Sequence, residues 1–246
     1  MRALVIAPQP FFSPRGTPFS VYYRTLVTAQ LGVEIDLLTY GQGQDVTIPG
    51  VRIIRIPEFA FLGPVRVGPS LLKLFLDVFL TLRTIGLLLR NRYNFVHAHE
   101  ESVFWCCLLK PIFRFKLVYD MHSSLPQQLT NFKFTRSKAL IGIFGWLERL
   151  CLRHAQAVIT ICPDLRDYAL KMGIAPERHV LIENSIFDDV GVAGGESHRH
   201  SSALDNGAVE SLIRSGGPII AYAGTFEHYQ GPVSYTHLTL PTNREV

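Results

Sequence analysis

Residues 115–126 read FKLVYDMHSSLP, and this stretch decides the fold. Residues 115–119 are mostly apolar and β-prone, which predicts a strand buried in a sheet. The strand runs into a polar turn, DMHS at residues 120–123, and a long helix is predicted further on, over residues 137–153. A buried strand followed by a polar loop and a helix is the unit from which parallel α/β sheets are built.

Strand-like and helix-like segments alternate on both sides of this unit. Strands are predicted at residues 3–7, 33–39, 51–56, 93–97, 115–119, 157–161 and 180–183, and helices at 20–31, 71–89, 103–109, 137–153 and 163–172. This alternation predicts an α/β fold, a Rossmann-like, doubly wound parallel sheet with helices on both faces. Such sheets bind ligands at the carboxyl ends of their strands, here the loops after Ala7, His97, Tyr119, Ile161 and Ile182.

The composition indicates a globular protein. Of 246 residues, 48% are hydrophobic and 18% are charged, which excludes a disordered or fibrous chain. The net charge of +4 gives a mild preference for anionic partners such as nucleotide phosphates or acidic lipids, and no nucleic acid partner is predicted. The four cysteines fit neither a disulfide framework nor a zinc site. The apolar N-terminus is too short for a signal peptide, which predicts a cytoplasmic location.

The most apolar segment, residues 71–89, is interrupted by Lys73, Asp77 and Arg83, so a membrane span is not predicted. Two interpretations stay open. The helix lies on a bilayer surface, with Arg90 and Arg92 beside it, which would make the protein peripheral at the inner face of the membrane. Alternatively, the helix faces the core and its charges form a solvated stripe.

The first loop places Gly16 and Thr17 just ahead of the first helix. A glycine there lets the backbone pass close to a ligand, and the free N–H groups of the helix start favour a phosphate or sugar oxygen. A simple turn before a helix explains the same residues equally well. The dinucleotide fingerprint is absent, because no G-x-G-x-x-G is present.

Two histidines end the fourth predicted strand. His97 and His99 are two residues apart, so they point to the same face and could both bind a metal. No third ligand at a suitable spacing accompanies them, and we predict no metal. Hydrogen bonding at the mouth of the sheet by His99 and Glu100 is favoured instead.

His122 and Ser123 follow the strand at 115–119, where an acceptor hydroxyl could be held. A histidine there is suited to donating a hydrogen bond to a sugar or to relaying a proton. The alternative is that it only caps backbone groups at the end of the strand. Asn184 follows the last predicted strand, where it either makes a turn or lies on the rim of a cleft.

The composition changes after residue 187, so we assign residues 1–187 to a first domain. Residues 188–217 are rich in Gly, Ser, His, Asp and Asn and predict a linker or irregular insertion. Residues 218–232 begin a new strand and turn, with Gly224 and Thr225 at the turn. Residues 233–246, VSYTHLTLPTNREV, are similar to a translated transposon adapter from sequencing-library preparation. We therefore expect a second domain that is incomplete.

Taken in order, these motifs resemble the N-terminal domain of family 4 glycosyltransferases of the GT-B type. The resemblance rests on the strand and loop leading to Gly16, the His99-Glu100 pair, the DMHS turn, the TICP segment at 160–163, the IEN segment at 182–184 and the AYAGTF segment at 221–226. It extends from residue 1 to about residue 231.

The resemblance implies two Rossmann-like domains that face each other across a cleft. It implies transfer of a sugar from a nucleotide sugar to a glycan, lipid-linked or small-molecule acceptor with retention of configuration. It implies no metal or other cofactor, the nucleotide sugar being a co-substrate. Gly16 would lie near the donor phosphates, His122 would be the catalytic residue beside the transferred sugar, and His99 and Glu100 would line the acceptor side.

One departure concerns the leaving diphosphate. The family usually supplies an Arg and a Lys at the second-domain turn, where this chain has Thr225 and Gln230. Without those charges and most of the donor site, we predict that the chain as written transfers no sugar. A sugar-nucleotide epimerase of the same architecture and a non-catalytic carbohydrate- or nucleotide-binding module remain alternatives.

Overall fold

The computed structural model describes residues 1–13, 16–59, 63–65, 68–131, 137–183 and 214. Met1–Val190 forms one compact unit, and Arg214 is the described residue of a second unit, Gly191–Val246. Three of the predicted site residues, Asn184, Gly224 and Thr225, lie outside the described residues, as do the predicted linker and the strand after it.

One parallel sheet organises the first unit. Its seven strands run in the order β3-β2-β1-β4-β5-β6-β7, and every pairing is parallel. The strands are β1 (Arg2–Ala7), β2 (Glu34–Thr39), β3 (Val51–Arg55), β4 (Phe95–His99), β5 (Lys116–Met121), β6 (Ala157–Thr160) and β7 (His179–Leu181). The strand order reverses between β1 and β4, so their carboxyl ends form the crevice where ligands of such sheets bind.

Helices cover both faces of this sheet. The described helices are α1 (Gly16–Gln30), α2 (Leu71–Arg90), α3 (Ser102–Phe113), α4 (Leu125–Asn131), α5 (Lys138–His154) and α6 (Pro163–Lys171). On one face, α1 packs through Val21 against Val5 and Leu37. On the other, α2, α3, α5 and α6 share a larger core that includes Leu80 and Leu152. The predicted doubly wound α/β fold is confirmed.

Two central strands extend further towards their carboxyl ends than the sequence predicts. The predicted strand at 93–97 is Phe95–His99, and the one at 115–119 is Lys116–Met121. Pairing between strands sets these ends, because His99 pairs with Asp120 and Asp120 pairs with Ile159. Asp120 therefore belongs to a strand rather than to a turn, beside His99 in the neighbouring strand.

A solvated stripe of charges was expected on α2. For Lys73 and Asp77, two of the three charged residues in question, this expectation is wrong. The Lys73 ammonium lies 2.5 Å from a carboxylate oxygen of Glu101, and Asp77 accepts a 2.6 Å hydrogen bond from the Tyr40 hydroxyl. Both charged side chains therefore point towards the protein, where their partners lie. Within the described ranges, no helix combines the length and apolar character needed to cross a membrane.

Candidate functional site

A buried carboxylate, Asp120, is the centre of a polar cluster at the carboxyl ends of β4 and β5. Its Oδ2 lies 2.9 Å from Nε2 of His97 and 3.4 Å from Nδ1 of His99. Its Oδ1 lies 3.4 Å from Nε2 of His122. Alternation along β4 and the register with β5 bring residues of two strands to one face of the sheet.

Arg24 of α1 completes this cluster. Its guanidinium donates to Oδ1 of Asp120 and, through Nη2, to the carbonyl oxygen of Ile182 at 2.8 Å. The Arg24 side chain is only 9% exposed and that of Asp120 is fully buried. Removing one member of such a buried pair typically costs about 3–5 kcal/mol, because the other charge is left uncompensated.

The three imidazole rings are in contact. His97 and His99 stack with ring centroids 4.5 Å apart, and Nδ1 of His99 lies 3.1 Å from Nε2 of His122. The other ring nitrogens, Nε2 of His99 and Nδ1 of His122, are buried without a hydrogen-bond partner among the described residues. Because an unsatisfied buried polar group is costly, these two nitrogens mark where a ligand atom or a water would be stabilised.

Burial and charge fix the protonation of the cluster. Burial alone would raise the pKa of Asp120, but His99, His122 and His97 together hold it well below its ordinary range. Burial lowers the pKa of His99 well below its usual value and that of His122 to about 4, against the opposing effect of Asp120. At neutral pH the cluster therefore contains an ionised Asp120 beside neutral His99 and His122.

The tertiary structure supplies the third metal ligand that the local sequence lacks. Ligand atoms of His97, His99 and Asp120 all lie within 4.8 Å of one another. Nitrogen and carboxylate ligands of this kind suit zinc and similar ions. However, the Arg24 guanidinium already neutralises Asp120 and would repel a cation.

Glu100 lies apart from the histidines. It has a left-handed backbone, with φ of 48°, and its carboxylate lies 3.9 Å from the Lys73 ammonium. Burial raises its pKa to about 7, although Lys73 opposes the shift. Glu100 lines a small cavity together with Ser123, whose hydroxyl accepts a hydrogen bond from Gln128. The structure thus groups His99 with His122, and Glu100 with Ser123.

Gly16 and Thr17 begin α1 at the same edge of the sheet. A Cβ atom added at Gly16 would meet nothing within 4 Å, so no described neighbour requires a glycine there. Within the described ranges, neither residue has a hydrogen bond or ion pair to the histidine cluster. Their assignment as ligand-binding residues stays a prediction.

Sequence reasoning missed Arg24 and the central role of Asp120. A signal for Arg24 was present, because it is the one charged residue in the α1 sequence GTPFSVYYRTLVTAQ. A single charge in an otherwise uncharged helix that packs on a sheet often has a buried partner. No comparable signal identified that partner, since Asp120 lies 96 residues further along the chain.

The seven-stranded parallel sheet with helices on both faces and a reversal of strand order between β1 and β4 defines an α/β domain of the Rossmann-like class. A family model described as a glycosyl transferase 4-like domain matches residues 24–185, which is more than half of the chain. The chain belongs to this family. No curated protein sequence matches it.

Solved structures share the fold. A sucrose-phosphate synthase from Thermosynechococcus elongatus is similar with a TM-score of 0.54 and 18% identity, over 74% of this chain and 48% of that one. CalG4, the calicheamicin glycosyltransferase, is similar with a TM-score of 0.50 and 14% identity, over 75% of this chain and 53% of that one. The chain thus spans about half the length of these two proteins. The similarity agrees with the N-terminal GT-B domain expected from the sequence.

Proposed function

We propose that this domain is the acceptor-side half of a retaining glycosyltransferase. In this proposal a nucleotide sugar is the donor, and a glycan, a lipid-linked molecule or a small molecule is the acceptor. The observation that carries the proposal is the unpartnered Nδ1 of His122, buried at the carboxyl edge of β5 and held by an ion-paired cluster. Membership of the glycosyl transferase 4-like family supports the reaction class.

The unpartnered atom of His122 is its Nδ1, because Nε2 lies 3.1 Å from Nδ1 of His99. Two imidazole nitrogens at this distance need one donor and one acceptor. Nδ1 of His99 and Nε2 of His122 each lie 3.4 Å from a carboxylate oxygen of Asp120, so these distances favour a proton on either nitrogen equally. We propose the tautomer in which His99 donates and Nε2 of His122 accepts, because the Nδ1–H group of His122 can then donate to a sugar hydroxyl or ring substituent.

The low pKa of His122, about 4, limits its chemistry. During transfer the bond from the anomeric carbon to the diphosphate oxygen breaks and leaves its electron pair on that oxygen, and the acceptor hydroxyl gives its proton to the same departing oxygen as the new bond forms. A neutral His122 holds the sugar through a hydrogen bond rather than carrying a proton as imidazolium. Removal of one such preorganised donor typically lowers kcat by about 100-fold or more.

We further propose that the reaction uses no metal or other cofactor. Asp120 is the carboxylate in reach of His97 and His99, and its negative charge is already compensated by Arg24. A divalent ion would have to displace that guanidinium from a buried pair. The cytoplasmic location, Gly16 near the donor phosphates, and the roles of Asn184, Gly224 and Thr225 stay predictions.

The test starts from the gene that encodes this domain, sequenced again from an independently prepared library. The protein expressed from that sequence is incubated with a panel of nucleotide sugars, and nucleoside diphosphate release and new glycosides are measured. We expect transfer with retained anomeric configuration, reduced about 100-fold in a His122→Ala variant. The matched control, His154→Ala, removes an exposed histidine at the end of α5 and should leave transfer intact.

Two outcomes would contradict the proposal. Conversion of the donor to its C2 epimer without glycoside formation would indicate the epimerase. Saturable binding of a nucleotide sugar with neither release nor conversion would indicate a binding module.

A further inference from the structure

The outward side of α2 is apolar over its whole length. Its exposed large side chains are Leu71, Leu74, Phe75, Val78, Leu82 and Leu89. They recur every three or four residues or at multiples of that spacing, which places them on one side of the helix. Leu74, Leu82 and Leu89 are 62, 60 and 71% exposed. Lys73 and Asp77 point towards the protein. The side of the helix that faces water is therefore its apolar side.

The neighbouring helices extend this surface. α3 contacts both α2 and α5, and all three pack on the same face of the sheet. The exposed large apolar residues are Leu108 and Ile112 on α3, and Leu140, Ile143 and Trp146 on α5. Exposed apolar side chains that gather on neighbouring helices usually mark an interaction site, whereas single scattered ones do not.

The exposed charges on these three helices are all positive. They are Arg83, Arg90, Lys138, Arg149 and Arg153. The acidic residues of the same helices, Asp77 and Glu148, are turned towards the protein, where they bind Tyr40 and Tyr168. The surface therefore combines apolar side chains with an unbalanced positive charge.

A groove of about 540 Å³ lies between α2 and the edge strand β3. Its lining includes Arg52 and Arg55 from the strand and Arg83 and Arg90 from the helix. Arg52 is paired with Asp36, and Arg55 donates to backbone carbonyls. Arg83 and Arg90 have no hydrogen bond or ion pair within the described part of the chain, so their guanidinium groups are available to an anion beside Leu82 and Leu89.

We propose that the outward side of α2, α3 and α5 docks on the surface of an anionic lipid bilayer. The exposed leucines and Trp146 enter the boundary between headgroups and acyl chains, and Arg83 and Arg90 bind lipid phosphates. This combination of an apolar helix surface with flanking arginines is what interfacial binding requires. The proposal does not depend on the glycosyltransferase activity.

A second copy of the chain fits this surface less well. A symmetric dimer through this face would bring two surfaces together whose exposed charges are all positive. Anionic lipid phosphates supply the opposite charge instead, and acyl chains supply the apolar contact.

The test is flotation of the 246-residue chain with vesicles in a density gradient. One set contains phosphatidylcholine and phosphatidylglycerol in equal amounts, and the other contains phosphatidylcholine alone. We expect the chain to float with the anionic vesicles, and to do so less with neutral vesicles or at high salt. Failure to float with anionic vesicles at low salt would overturn the proposal.

Two variants separate the apolar and charged contributions. Leu74→Gln/Leu82→Gln should lower partitioning at least about tenfold, because two side chains no longer enter the apolar boundary. Arg83→Gln/Arg90→Gln should lower it about thirtyfold on anionic vesicles and leave neutral vesicles unaffected. The matched control is Leu31→Gln, at an exposed leucine after α1 on the opposite face of the sheet. Circular dichroism and urea midpoints verify that each variant is folded.

Two results would refute the proposal at this point. One is equal loss of flotation in the Leu31→Gln control. The other is a dimer, seen by analytical ultracentrifugation, that dissociates in the Leu74→Gln/Leu82→Gln variant, since a second copy would then cover the surface.

Discussion

The buried neutral state of His122 makes a specific prediction about acid stability. In the folded domain its pKa is lowered from 6.5 to about 4, chiefly by burial. In the unfolded chain the same imidazole takes up a proton near pH 6.5. Because the folded pKa is depressed, the contribution of His122 to stability is fully present above pH 6.5 and is lost as the pH falls to about 4. The perturbation we choose is His122→Gln, which keeps a polar side chain but cannot titrate.

The size of the expected change in stability follows from the pKa shift of His122. Each pKa unit corresponds to about 1.4 kcal/mol, so a depression from 6.5 to about 4 is worth about 3 kcal/mol. Glu100 and Asp77 act in the opposite sense, since their raised pKa values, each about 7, add stability as the pH falls below neutral. The wild-type curve alone therefore mixes opposing contributions. Subtracting the His122→Gln curve cancels Glu100 and Asp77 and leaves His122 together with its coupling to Asp120 and His99.

The assay is urea unfolding of both proteins, followed by circular dichroism, at pH values from about 7 down to about 4. The wild type should lose about 3 kcal/mol relative to His122→Gln across this window. His154→Gln, at an exposed histidine, is the matched control for loss of a histidine. A wild-type-minus-variant difference that does not change with pH would refute the buried neutral His122, and with it the hydrogen-bonding role proposed for that residue.

Three further predictions concern other buried groups. Asp120→Asn in the active protein should lower kcat about 100-fold, because a neutral amide no longer compensates the charge of Arg24 and binds the His99 and His122 rings less strongly than a carboxylate does; unchanged nucleoside diphosphate release would contradict this. Glu148→Gln should lower the free energy of unfolding in urea by about 1–3 kcal/mol. The reason is that the carboxylate accepts hydrogen bonds from Ser124, Tyr168 and the backbone N–H of Leu125. An unchanged midpoint of urea unfolding would count against that network. Cys107 should be alkylated by iodoacetamide at neutral pH before Cys106. A hydrogen bond from Cys151 lowers the pKa of Cys107 to about 6, whereas burial raises the pKa of Cys106. Mass spectrometry that shows Cys106 modified first would disprove this prediction.

Much of the fold could be predicted from local patterns. The strand at 115–119 and the helix at 137–153 differ from the observed Lys116–Met121 and Lys138–His154 by one or two residues at each end. Ser137 caps that helix by accepting from the backbone N–H of Leu140, a signal present in the sequence itself. The short helix α4 was not predicted, because its seven residues are too few to show a helical period of apolar residues.

The site could be predicted only in part. His99, Glu100, His122 and Ser123 were identified because each follows a predicted strand, where parallel sheets bind ligands. Their division into two groups was not predictable, because it depends on the left-handed turn at Glu100 and on the ion pair with Lys73.

The sequence by itself determined the alternation of strands and helices and the position of polar residues at the carboxyl edge, because both depend on neighbours only a few positions away. The tertiary structure alone decided that Asp120 gathers His97, His99, His122 and Arg24, since these residues meet only after the strands pair. It also decided which side of α2 faces water. Helical spacing places Lys73 and Asp77 on one side of the helix, but only their partners on other elements determine that this side faces the protein.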